Sequence, residues 1–103
     1  MVITNDVKAV IEQAPFVPIT TVSADGQPHL IVVGKVKEVR DDDILVFGIY
    51  KMETTQQNIT DNGLMQVGIA ATDDGPKGFR LSGKACVEGK EVLFKTEKVE
   101  SLL

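Results

Sequence analysis

The chain has 103 residues, 43% hydrophobic and 25% charged, enough for one compact domain and too few for a second core. Its net charge of −4 excludes a surface built to coat nucleic acid, which needs clustered Lys and Arg against the phosphates. A single cysteine, Cys86, excludes an internal disulfide, a zinc knuckle and a CxxC redox pair.

The first ten residues, MVITNDVKAV, have no basic leader, and no stretch approaches the roughly 18 apolar residues of a membrane span. An unexported, cytoplasmic protein is expected. Residues 5–14 place Val7, Val10, Ile11 and Ala14 on one helical face, with Asn5 as the expected N-cap and Pro15 as the stop. FVPITTVS, 16–23, is short and β-branched, and the Asp-Gly of 24–27 turns it into PHLIVVGKVKEVR, 28–40, as an antiparallel partner. The apolar phase slips along this second strand: Ile31 and Val33 share a face with Val39, whereas Val36 shares one with Leu30 and Val32. With Gly34, that slip predicts a bend or bulge.

RDDD, 40–43, reads as a solvated turn, since three consecutive Asp cannot all face one cation. ILVFGIY, 44–50, is a third strand, apolar on both faces and so expected to be buried. The connector YKMETTQQNITDNG, 50–63, holds the capping-box pattern Thr54-x-x-Gln57 and ends on Gly63, which predicts a helix of about two turns from near Thr54. LMQVGIAAT then alternates Met65, Val67, Ile69 and Ala71 against Gln66, Gly68 and Ala70, and DDGP, 73–76, turns the chain. KGFRLSGKACVEG has the cleanest period of two, Phe79, Leu81, Gly83, Ala85 and Val87 against Arg80, Ser82, Lys84 and Cys86. EGK, 88–90, closes a last hairpin into EVLFKTEKV. Six strands, an early helix and a short helix between strands three and four predict a mainly β fold, a small antiparallel barrel formed by a single domain over 1–103.

Few residues suggest chemistry. The connector helix start offers free N–H groups, a positive dipole end, the hydroxyls of Thr54 and Thr55 and the ammonium of Lys51, a set able to hold a phosphate. Taken alone, Thr-x-x-Gln at a helix start is more often only a cap, with an anion site the less common reading. His29 is the sole histidine, with no partner in the sequence that would make it a base, and Cys86 reads as a structural thiol near Lys84. GPKGFR, 75–80, places Lys77 and Arg80 at a strand start beside two glycines. No phosphate-binding P-loop, nucleophile elbow, dinucleotide fingerprint or metal-ligand cluster occurs.

The order of these pieces, ITTVSADGQPHLIVV, then ILVFGIYKMETTQQNITDNGLMQVGIA, then KGFRLSGKACV, resembles the FMN-binding split β-barrels related to pyridoxamine 5'-phosphate oxidase. Within that group it is most similar to the short, stand-alone FMN-binding proteins of anaerobic bacteria. The resemblance spans Pro15 to Val87 and rests on Asp-Gly-x-Pro-His-Leu, on Asn-Ile after a Thr-containing helix start, and on Gly-Phe-x-x-x-Gly-x-Ala. It implies a six-stranded antiparallel split β-barrel acting as a homodimer, with FMN at the interface and a role in electron transfer or flavin-dependent oxidoreduction.

Carried over residue by residue, it implies flavin-ring contacts at Val32, Val33 and Gly34. It implies ring and phosphate contacts at Ile49, Tyr50, Lys51, Thr54 and Thr55, with Asn58 on the helix, and a nearby strand start from Lys77 to Arg80. No catalytic residue, metal or nucleic-acid partner is implied. Many relatives carry a Lys or Arg beside the helix-start Thr, where this chain reads METTQQN. The phosphate charge then falls to Lys51, Arg80, a partner residue, or the dipole and hydroxyls alone. That departure motivates the alternative of a barrel that has lost FMN or binds haem or a deazaflavin.

Overall fold

The structure is a computed structural model that describes residues 2–73 and 75–103. Helix α1 (Asn5–Gln13) leads into β1 (Phe16–Val22), β2 (Pro28–Gly34), β3 (Glu38–Arg40) and β4 (Ile44–Gly48); α2 (Glu53–Asn62) connects to β5 (Leu64–Ala71), β6 (Lys77–Glu88) and β7 (Glu91–Ser101). The strands form one antiparallel sheet in the order β2-β1-β5-β6-β7-β4-β3. Inward residues from both halves, Val17 and Ile19 of β1 as well as Leu45 and Phe47 of β4, share one hydrophobic cluster with Val67, Leu81, Val92 and Phe94. The sheet is therefore curled around its own core. Its edge strands, β2 and β3, pair only with β1 and β4, so the barrel stays open between them. This is the expected split barrel.

The strands number seven rather than six because the long segment 28–40 breaks. After Gly34 the chain leaves the sheet, buries Val36 in the core cluster, and rejoins at Lys37, whose N–H donates to the Val46 carbonyl at 2.9 Å. The slip in apolar phase marked this break. The predicted third strand likewise stops at Gly48; Ile49 is half-buried beyond it and Tyr50 is exposed.

Both helices begin elsewhere than their cap patterns suggested. Thr4, not Asn5, caps α1, its Oγ1 accepting from the Val7 N–H at 3.4 Å, while Val7, Val10 and Ile11 are buried as their spacing required. Helix α2 begins at Glu53 after Met52, with no side-chain cap bond, so the Thr54-x-x-Gln57 box does not form. Gln57 instead donates to the Asp61 carboxylate at 3.0 Å. Gly63 does occupy the left-handed cap position, φ 73°. The turn expected at 73–76 includes Asp74, which lies outside the described residues.

The RDDD turn is not merely solvated. Asp43 is buried, and its carboxylate accepts the Val2 and Ile3 N–H groups at 3.0 Å each, while its carbonyl accepts from the Thr96 N–H at 2.9 Å. One residue thus ties the start of the chain to β7. Burial alone would raise its pKa, but the Ile3 and Val2 amides reverse this and hold it below the ordinary 3.8.

On the other side of the barrel the β6–β7 ladder shifts register between Ser82 and Gly83, and a Cβ at Gly83 would lie 1.9 Å from the Lys95 carbonyl oxygen. Backbone, not a flexible side chain, occupies that space. Gly83→Ala is expected to destabilise by about 2 kcal/mol or more, the overpacking range, measured by denaturant unfolding. Asp43→Asn keeps a residue tolerant of φ 63° but loses the ionic acceptor of two amides, which should cost roughly 1–3 kcal/mol at neutral pH. Because the folded state binds the Asp43 proton more weakly than the unfolded chain does, this stabilisation is complete above the ordinary pKa of 3.8 and fades as pH falls through the lower folded value. Thermal melts from neutral to acid pH should therefore converge for wild type and Asp43→Asn.

Candidate functional site

The opening of the barrel leaves a concavity of about 310 Å³. Ile31, Val32, Val33 and Gly34 of β2 form one wall, and Gly48, Tyr50, Lys51 and Met52 of the β4–α2 connection form the other. Alternation places β2 there without strain: Ile31 and Val33 lean inward to the core, whereas Val32 is 62% exposed. Gly34 and Gly48 face open space, since a Cβ at either would meet no atom within 4 Å. Ligand atoms could approach backbone at both.

Lys51 is the only charged residue in this lining. It holds φ 52°, a left-handed conformation that costs a non-glycine residue about 1 kcal/mol or more, and its ammonium lies 5.5 Å from the Tyr50 ring centroid. Immediately after it, α2 starts uncapped: the Gln56 N–H is already bonded to the Met52 carbonyl at 2.8 Å, so the N–H groups of Glu53, Thr54 and Thr55 have no helical acceptor. A cation and three free amides adjoin one wall. Glu53, in the same first turn, supplies an opposing charge.

Of the residues singled out from the sequence, Val32, Val33, Gly34, Tyr50 and Lys51 come together in the concavity. Thr54 is exposed on the first turn of α2, next to that wall. Ile49 packs against the core instead. Thr55 and Asn58 are buried: the Asn58 amide donates to Thr21 Oγ1 at 3.0 Å, and Thr55 Oγ1 has no partner. Lys77 starts β6 opposite Ala71, outside the concavity.

Arg80 is also elsewhere. Its guanidinium donates to Glu100 Oε1 from Nε at 3.2 Å and Nη2 at 3.1 Å, which holds the Glu100 pKa below its ordinary value. The registers Val32↔Pro18, Ile19↔Val67 and Gly68↔Arg80 put Arg80 three strands from Val32, on the order of 14 Å across the sheet. Within one protomer it cannot serve the same wall.

Ile31, Gly48 and Met52 line the concavity without having been singled out from the sequence. Inward alternation marked Ile31, and a glycine interrupting an apolar strand marked Gly48. Nothing local marked Met52. His29 is half-buried opposite Thr21 and does not line the concavity, and among the described residues no group of three His, Cys, Asp or Glu is placed to hold a metal. Beside Val32 the outer face of the sheet is apolar: Phe16 and Leu30 are 69% and 65% exposed, and Pro18 lies between them.

A family profile described as pyridoxamine 5'-phosphate oxidase matches residues 3–100. The chain belongs to that family. Among solved structures, HupZ of Group A Streptococcus is 20% identical with a TM-score of 0.78, covering 96% of this chain and 93% of its own. An FMN-binding protein of Syntrophomonas wolfei is 15% identical with a TM-score of 0.72, covering 92% and 82%. HutZ, a haem storage protein of Vibrio cholerae, is 11% identical with a TM-score of 0.65, covering 98% and 95%. At these identities the likeness is one of fold. None of the curated proteins matches the chain in sequence.

In this pyridoxamine 5'-phosphate oxidase-like barrel, the left-handed Lys51 gives the candidate site a stability signature. Lys51→Gly relieves the left-handed conformation and should unfold at or above the wild-type midpoint, by about 1 kcal/mol or less, whereas Lys51→Val should unfold below it. Differential scanning calorimetry of the three proteins checks this.

Proposed function

We propose that this chain is an FMN-binding flavoprotein, a cytoplasmic homodimer that holds flavin at its interface and serves electron transfer or flavin-dependent oxidoreduction. The observation that carries the reading is the concavity itself, whose lining has a single charge, the Lys51 ammonium, beside the free amides of α2. That combination fits a ligand with a flat, mostly neutral body and one anionic end.

The fit divides along the ligand. Backbone of Val32, Val33 and Gly34 on the unpaired edge of β2 offers N–H and C=O groups to the polar edge of a flavin ring, with Ile31 and Tyr50 supplying apolar contact. Lys51, the α2 amides and the exposed Thr54 hydroxyl would hold the phosphate monoester. The buried Thr55 and Asn58 would act from behind, shaping the helix rather than touching ligand. Bound flavin supplies the two-electron redox chemistry, and the protein supplies position and electrostatics.

At about 310 Å³ the concavity is at the lower end of the range for ligand pockets. A second chain seated on the apolar face around Phe16, Leu30 and Val32 would deepen it and cover side chains that are otherwise costly to leave in water. A haem reading, raised by the fold likeness to HutZ, finds less support: the sole histidine does not line the concavity, leaving only Tyr50 and the buried Met52 there as side chains of axial-ligand type.

Absorption spectra of the purified protein, as isolated and after adding FMN or haem, distinguish the readings: two flavin bands are expected, not a Soret band. Protein that stays colourless with FMN would sink the proposal. In fluorescence titrations Lys51→Ala should weaken FMN binding roughly tenfold and leave riboflavin unchanged, because only FMN presents the phosphate. Sedimentation should give twice the 11.2 kDa chain mass.

A further inference from the structure

Strand β6 turns Lys84, Cys86 and Glu88 outward, and β7 sets Lys95, Leu93 and Glu91 directly opposite them. Lys84 and Lys95 are thus a like-charged cross-strand pair, which repels unless something neutralises it. Among the described residues neither is joined to a carboxylate by an ion pair. Lys95 donates instead to the Asp42 carbonyl, which fixes one ammonium in place. The Asp43 carboxylate feels Lys95 at longer range but is already engaged by the Val2 and Ile3 amides.

On this face lies a depression of about 310 Å³, lined by Ile44, Leu93 and Cys86 beside the two lysines. Glu88 lines its other end, four strand residues from Lys84 and so about 13 Å away. This polarity is selective. An anionic head is attracted at the lysine end, an apolar body has aliphatic side chains to cover, and a second anionic group would meet Glu88.

We propose that the depression binds a small amphiphilic carboxylate, its head between Lys84 and Lys95 and its short aliphatic or aromatic body over Ile44 and Leu93. The site shares no lining residue with the concavity in the split and is independent of the flavin reading.

Cys86 reports on occupancy because it is the only thiol, is exposed, and lines the depression. The rate at which iodoacetamide alkylates the whole protein is measured at fixed pH with octanoate, acetate or octanol added. Octanoate is expected to slow alkylation saturably, while acetate, lacking the body, and octanol, lacking the charge, do not. Lys84→Gln and Lys95→Gln, both at exposed positions that the core does not need, should each weaken the octanoate effect roughly tenfold, the loss of one charge-assisted contact. Alkylation indifferent to octanoate overturns the proposal. So does equal protection by octanol, or wild-type protection in both variants.

Discussion

The missing pairing between β2 and β3 is the constraint on which the molecule turns. These strands are neighbours in sequence and the two free edges of the sheet, yet burial of Val36 diverts the three-residue link between them away from any ladder. The barrel therefore stays open at that point, and its two halves are held together by the core rather than by hydrogen bonds. Val17 and Ile19 from one half meet Leu45 and Phe47 from the other, and α1 adds Val7, Val10 and Ile11 to the same cluster. Hydrophobic burial is non-directional, so it can hold the two halves of the sheet together without any backbone pairing between β2 and β3. The price is an edge of unpaired amides and carbonyls along β2, and the concavity is formed along that edge.

Charge follows the same geometry. The chain is acidic overall, but several of its acids engage particular cations and amides: Glu91 with Lys37 and Arg40, Glu100 with Arg80 and Lys98, Asp43 with the Val2 and Ile3 N–H groups. Lys37, Arg40, Glu38 and Glu91 form a linked set of ion pairs around the β3–β4 and β7 strands, where Val46 is buried although it faces away from the main core. The lining of the split is left with one positive group and no negative one. A local field opposite in sign to the net charge is what a small anionic ligand would require of an acidic protein.

Strong periodicity made the sheet legible in the sequence. Residues 64–71 and 77–88 turn in and out as their alternation required, and the phase slip near Gly34 marked the break that makes a seventh strand. Local cap patterns misled: Thr4 and Asn5 are both acceptable cap types, and α2 begins at Glu53, ahead of the Thr54 box and just after Met52 and the left-handed Lys51. Asp43 was illegible for a different reason. Its partners are about forty positions away, and no window of sequence contains both. The candidate site divided similarly: the resemblance named residues of β2 and of the β4–α2 connection, which the fold brings to one concavity, whereas the pairing of Arg80 with Glu100 depended on a strand register that only the folded chain displays.

Strand β7 joins two parts of the sheet, pairing with β6 on one side and β4 on the other. It also follows every other strand in chain order, so during synthesis it is the last of them to leave the ribosome. Until it arrives, β4 and β6 present bare edges to any neighbouring chain, and the hydrophobic faces they carry are uncovered. Closing the barrel must also await contacts of wide sequence separation, which slows folding relative to a helical domain of this size. Insertion of this one strand therefore covers the free edges of β4 and β6 in a single step.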